Sequence, residues 1–324
     1  MRRALAARVV ALVCAALPGL ASIASAQTAA QTPVFTSEDL MSAVSTLAAP
    51  SMEGRRTGTP GNAKARGWIV QQFKAAGLAP FDGGYERPFT FQRRQQGNAE
   101  AAEAPGINVV GVCKGTGAAD GGAVVLSAHY DHLGTRDGAT YHGADDNASG
   151  VSVLIALARQ CQKSPWTHDA VFAAFDAEEL GLQGGRAFVA SPPIPKDRIA
   201  VNINFDMVAR GDKGELYVAG THHTPSLRKV LEPVAAAAPI KLLLGHDSGG
   251  GHEDWTTQSD HGAFHAAKIP FLYFGVEDHP DYHKPTDTPE KINARFFYDA
   301  ARTILNAVRA VDRALPLAAE KPAR

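Results

Sequence analysis

From Ile107 onward the chain alternates apolar, strand-like runs with helical stretches, and that alternation limits the folds open to it. The runs are Ile107 to Val112, Ala123 to Ala128, Ala170 to Phe175, Ile199 to Phe205, Leu216 to Val218 and Pro270 to Phe274. Between and after them lie helical patterns at Ala148 to Gln160, Gly185 to Val189, Ser226 to Ala238 and Ala294 to Leu315. Runs that are apolar at successive positions must be covered on both faces, which predicts an α/β fold with a mainly parallel sheet between layers of helices. Upstream, Ser37 to Leu47 reads as a helix with Ser37 as N-cap, Asn62 to Ala76 as a second helix closed by Gly77, and Tyr85 to Gln92 as a strand. Gly97 to Pro105 reads as a loop-like break, and the glycine-rich stretch Leu244 to Trp255 as an irregular loop or lid.

Open α/β sheets collect ligands beyond the carboxyl ends of their strands. The residues able to do chemistry follow that rule. His129 and Asp131 come after VVLSA, Glu178 and Glu179 after VFAAFDA, Asp206 after VNINF, and His283 in the loop after PFLYFGVEDHPD. Asp145 lies in GADDNASG, a tight turn ahead of a helix. Each has an ordinary structural explanation when taken singly: a surface histidine, a solvated acidic turn, or a helix cap favoured by the dipole. Together they supply two imidazoles and three carboxylates of metal-binding type, with a further carboxylate free for acid–base work. Mixed nitrogen and oxygen donors suit Zn²⁺, and one shared carboxylate gives three protein ligands per metal. Asp131, two residues beyond His129, is better suited to orienting the imidazole than to ligation. Adjacent carboxylates at the end of a hydrophobic strand are costly to desolvate without compensation, and Glu178 and Glu179 can divide the work between them.

HYDHLG, GADDNASG, AEELGLQGG, NFDMVAR, SDHGAF and YHKPTDTPEKI occur in the order and approximate spacing that resemble the co-catalytic zinc aminopeptidases, the family of secreted aminopeptidase S and aminopeptidase Y. The resemblance runs from about residue 36 to 312 and implies two zinc ions per chain. It implies that His129 and Asp206 bind one ion, Glu179 and His283 the other, and that Asp145 bridges them. It further implies Glu178 as general base, Asp131 as the partner of His129, Tyr282 as a donor to the tetrahedral oxyanion, and a cis bond between Asp145 and Asp146 that aims one carboxylate at two metals. His132, His142, His261 and His279 match no ligand position, and SDHGAF has no assigned role. The implied substrates are peptides with a free N-terminus. A glutaminyl-cyclase-like acyltransferase with one zinc, a carboxypeptidase or dipeptidase, and a non-catalytic binding domain are the competing readings of the same fold, and retention of every ligand position argues against the one-zinc and non-catalytic ones.

The first 26 residues read as a signal peptide: Arg2, Arg3 and Arg8 precede a short apolar stretch, and Ala24-Ser25-Ala26 suits cleavage before Gln27. Residues 27–35 are expected to be a flexible leader, 36–317 a single catalytic domain and 318–324 a frayed tail. The chain is thus expected to be exported, to the periplasm or beyond, with no stable membrane insertion after cleavage. The formal charge of −1 becomes more negative once those arginines leave, so there is no electrostatic footprint for nucleic acid. Cys113 and Cys161 remain in the mature chain, and spacing leaves open whether they pair or stay as separate buried thiols.

Overall fold

The computed structural model describes residues 32–94, 101–117, 122–248 and 253–317. The signal peptide, most of the leader, the tail and part of the Leu244 to Trp255 stretch lie outside the described residues. A nine-stranded sheet organises the chain from Pro33 onward. Its strands are β1 (Ala79–Pro80), β2 (Glu86–Arg94), β3 (Ala101–Cys113), β4 (Ala123–His129), β7 (Asp169–Phe175), β8 (Ile199–Phe205), β9 (Glu215–Ala219), β10 (Lys241–Leu244) and β11 (Phe271–Gly275). A separate two-stranded hairpin joins β5 (Thr135–Arg136) to β6 (Ala139–Thr140). The sheet order is β1-β3-β7-β4-β8-β11-β9-β10, with β2 also paired to β3.

The central strands β7, β4, β8 and β11 are mutually parallel, while β3 runs antiparallel on one side and β9 on the other. His129 pairs with Phe175 and Phe205 with Phe274, so the four parallel strands all end at the same edge. Side-chain alternation sends Leu126, Phe172, Ile203 and Leu272 to one face of the sheet and Val125, Val171 and Phe175 to the other. The first face packs against α3 (Gly150–Lys163) and the 21-residue α7 (Ala294–Ala314), through Leu154, Leu157, Phe297 and Ile304. The second is covered by α4 (Gln183–Ala190) and α6 (His261–Ala266), through Phe188, Val189 and Phe264. Burial of each such side chain contributes about 1.5–3 kcal/mol, and covering both faces explains why these strands read as unbroken apolar runs.

Five details differ from the sequence reading. α1 spans Ser37–Leu47, but its N-cap is Thr36, whose hydroxyl accepts from the Asp39 amide while the Asp39 carboxylate accepts from the Thr36 amide. The strand ending at Cys113 begins at Ala101, so residues 101–105 of the expected loop belong to β3 and pair with β2. Lys241–Leu244 forms a short edge strand beside β9, and His261–Ala266 a short helix. α2 (Pro60–Ala75) starts two residues early because Thr59 caps it and Pro60 occupies its first position.

Cys113 and Cys161 form a disulfide with Cα atoms 6.4 Å apart, tying the end of β3 to the end of α3 across 48 residues. A loop of that size contributes on the order of 3–4 kcal/mol in the chain-entropy account. The Cys113→Ala/Cys161→Ala protein is therefore expected to unfold at a lower urea midpoint. An unchanged midpoint would mean that the cross-link adds nothing to the packing around it.

Candidate metal centre

The four parallel strand ends deliver the site. β4 ends on His129, β7 leads through Asp176 and Ala177 into Glu178 and Glu179, β8 leads directly into Asp206, and β11 leads into the loop that carries His283. Three non-glycine residues here adopt left-handed backbone conformations: Ala177 (φ 59°), Met207 (φ 54°) and His283 itself (φ 53°). Such backbone costs roughly 1–3 kcal/mol per residue and persists where its surroundings over-determine it. Each sits at or directly beside a candidate site residue.

His129 is buried, and its Nε2 lies 3.2 Å from Asp206 Oδ1 and 3.3 Å from Asp146 Oδ1. On the other side of the same carboxylate, Asp146 Oδ2 lies 3.2 Å from His283 Nε2, which is 3.4 Å from Glu179 Oε2. Asp146 thus faces two imidazole–carboxylate pairs. Burial pushes its carboxyl up, but His132, His129 and His283 outweigh that and hold it well below the usual carboxylate range. The opposite holds for the glutamates: burial raises the Glu178 carboxyl well above its ordinary value, and burial together with Asp146 raises Glu179 to about 8.

The carboxylate facing both pairs belongs to Asp146 and not to the expected bridge, Asp145. The Asp145 backbone amide is held by both carboxylate oxygens of Asp287 at 3.0 and 3.1 Å, and the next amide, of Asp146, donates to the same group at 3.1 Å. With its backbone fixed, Asp145 turns the other way: Oδ1 accepts from the Ala209 amide at 2.8 Å and Oδ2 lies 3.2 Å from His279 Nε2. The cis peptide bond joins Asp146 to Asn147, one residue later than expected.

Asp131 is fully buried and accepts from the backbone amides of Glu178 (3.0 Å) and Glu179 (3.3 Å), with Thr57 Oγ1 at 3.3 Å from its carboxylate. Its carboxylate stands 3.7 Å from His129 Nδ1, whereas its backbone carbonyl lies nearer, at 3.2 Å, so the ring nitrogen donates to the main chain. Tyr282 stacks on His283 at 3.9 Å between ring centres, and burial with the nearby Asp146 charge keeps its phenol protonated.

Sequence reasoning did not select three other contributors. Asp287 organises the Asp145–Asp146 turn. Arg55, fully buried, donates to the carbonyls of Leu47, Tyr130, His142 and Gly143 at 2.8–2.9 Å and so braces two of the loops that carry the site. His132 lies 2.8 Å from Glu179 Oε1 through Nδ1. Only His132 had a visible signal, as the second histidine of HYDH.

Among the described residues, two groups of side chains offer donor atoms close enough to share a cation: His129, Asp146 and Asp206, and His132, Asp146 and Glu179. His283 adjoins the second group. Asp146, Asp206 and Glu179 bring their carboxylates together here, and the buried Arg55 guanidinium is spent on backbone carbonyls. The mixed imidazole and carboxylate donor set fits divalent zinc.

A fold with helices on both faces of a mixed sheet and a His/Asp/Glu cluster at its strand ends defines a metallohydrolase-type α/β protein. The chain belongs to Peptidase family M28, whose model matches residues 108–308. It is 30% identical over 275 residues to aminopeptidase YwaD of Bacillus subtilis (strain 168), an alignment covering 80% of this chain and 53% of that one. The chain thus spans about half the length of that relative. Its fold resembles the structure of BSAP, a zinc aminopeptidase from Bacillus subtilis, with TM-score 0.71 at 19% identity over 88% of this chain and 97% of that one. It also resembles a Bacteroides thetaiotaomicron glutaminyl cyclase bound to N-acetylhistamine, with TM-score 0.69 at 17% identity over 86% and 98% of the two chains.

Proposed function

We propose that the chain is an exported aminopeptidase that hydrolyses the N-terminal bond of peptides with two zinc ions and Glu178 as general base. The observation that carries this reading is the placement of Asp146, whose two oxygens face His129 and His283 at 3.3 and 3.2 Å. His129 and Asp206 would hold one ion, Glu179 and His283 the other, with Asp146 shared. When bound, such a pair polarises the scissile carbonyl and lowers the pKa of a water.

The protein's own groups supply the rest. Glu178 makes no metal-type contact with the two imidazoles, and burial raises its carboxyl well above the ordinary carboxylate range, which strengthens it as a base to take a proton from water and return it to the leaving amine. Asp131 holds the Glu178 and Glu179 amides and so sets the positions of base and ligand together. The protonated phenol of Tyr282 supplies a donor for the developing oxyanion. The Cys113–Cys161 disulfide suits an oxidising compartment and so supports the leader's indication of export. Among the described residues, no helix is long and apolar enough to cross a membrane.

The test pairs aminoacyl-p-nitroanilides with their N-acetylated counterparts and measures zinc by mass spectrometry on the same sample. Hydrolysis of the free-amine set alone, with two zinc ions per chain, is expected. Cyclisation of an N-terminal glutaminyl peptide by protein holding one zinc would replace this reading with an acyltransferase. Release of residues from the C-terminus would make it a carboxypeptidase.

A further inference from the structure

His132 stands at the second half of the metal centre without a role in the scheme above. It is buried, with Nδ1 2.8 Å from Glu179 Oε1 and 3.7 Å from Asp146 Oδ2, and its ring meets that of His283 edge-on at 6.0 Å. Glu179 therefore lies between two imidazoles, one at each oxygen: His132 at Oε1 and His283 at Oε2. Room for the His132 ring is built into the turn, because a Cβ on Gly143 (φ 57°) would come within 2.6 Å of it. The remaining nitrogen, Nε2, is buried and has no hydrogen-bond partner. An imidazole nitrogen 2.8 Å from a carboxylate oxygen carries a proton there, so Nδ1 is the donor, since a bare nitrogen would oppose two lone pairs.

We propose that His132 is a positioning residue for the second metal: it donates Nδ1–H to Glu179 Oε1, leaving Oε2 as the single oxygen presented beside His283. This rests on the two-zinc reading. Without that hydrogen bond Glu179 is free to rotate or to present both oxygens. Groups that orient a ligand in this way typically change metal affinity by about 10–100-fold.

The experiment titrates the zinc-loaded protein with a competing chelator and resolves the two dissociation constants, for the unaltered chain and for His132→Leu and His132→Asn. His132→Leu is expected to leave one of the two dissociation constants at its original value and to weaken the other by about 10–100-fold. His132→Asn, whose side-chain amide offers an N–H from a shorter stem, is expected to recover most of that loss. Circular dichroism and thermal unfolding establish that both variants fold, and the Asn variant carries the test if the Leu variant does not. The absorption spectrum of the cobalt-substituted protein supplies a second readout, since a change in how Glu179 binds alters the second ion's band. Two unchanged constants in His132→Leu would overturn the inference and leave the two-zinc reading intact. Equal losses in the Leu and Asn variants would overturn positioning in favour of direct ligation by His132. An unaltered chain that binds only one zinc would overturn the two-zinc reading itself, and this inference with it.

Discussion

Glu178→Gln is expected to lower kcat by about 10²–10⁴ on a leucine substrate while both metals stay bound. Gln keeps the shape of Glu but cannot accept a proton from water, so a base is lost and a ligand is not. Its neighbour makes the contrast. Glu179 touches His132 at 2.8 Å and His283 at 3.4 Å, whereas Glu178 meets neither imidazole. Glu179→Ala is therefore expected to release one zinc and, because binding energy for the folded state is also stability, to lower the thermal midpoint measured in excess zinc. Both backbone amides are anchored on Asp131 at 3.0 and 3.3 Å, so neither substitution moves its neighbour's main chain. Metal content and kcat should then change independently in the two variants. Loss of zinc from Glu178→Gln, or near-full activity in it, would reverse the assignment of base and ligand.

The layout of the centre is legible in the sequence because it depends on strand ends. An apolar run that must be buried on both faces declares itself residue by residue, and whatever polar group follows it emerges at the sheet's carboxyl edge. His129, Glu178, Glu179 and Asp206 are found in this way. The Asp145–Asp146 pair is not, because period and polarity say nothing about which of two adjacent aspartates faces the ligands when the turn carrying them is irregular. That choice is made by Asp287, 142 residues along the chain, which fixes both amides. His132 is hidden for a related reason: its contact with Glu179 spans 47 residues and forms only when β4 and β7 lie side by side. The short strand Lys241–Leu244 goes unread because a run of only three leucines, at a sheet edge and bounded by Lys241 and Gly245, is too brief to show a strand period. Ser37 was a plausible cap by residue type, but Thr36 is the residue whose hydroxyl reaches the amide three positions on.

The aspartate pair supports the sharpest separation of neighbouring residues. Asp146→Asn is expected to strip the centre of both ions, since one carboxylate faces His129 at 3.3 Å and His283 at 3.2 Å, and a neutral amide is a far poorer donor to a divalent cation. A protein that binds zinc at about 100 times its dissociation constant gains roughly 2.7 kcal/mol per site, so the variant's thermal midpoint should no longer rise when zinc is added. Asp145→Asn is expected to behave differently. Its Oδ1 accepts from the Ala209 amide, a bond that the amide oxygen of Asn reproduces, and only the charge facing His279 is lost. That loss costs about 1.5–3 kcal/mol at most, the range for a hydrogen bond to a charged group, and falls on stability rather than on metal content. Zinc stoichiometry and the zinc-dependent shift in midpoint, measured on both variants, decide the matter. Two zinc ions in Asp146→Asn, or none in Asp145→Asn, would return the bridging role to Asp145.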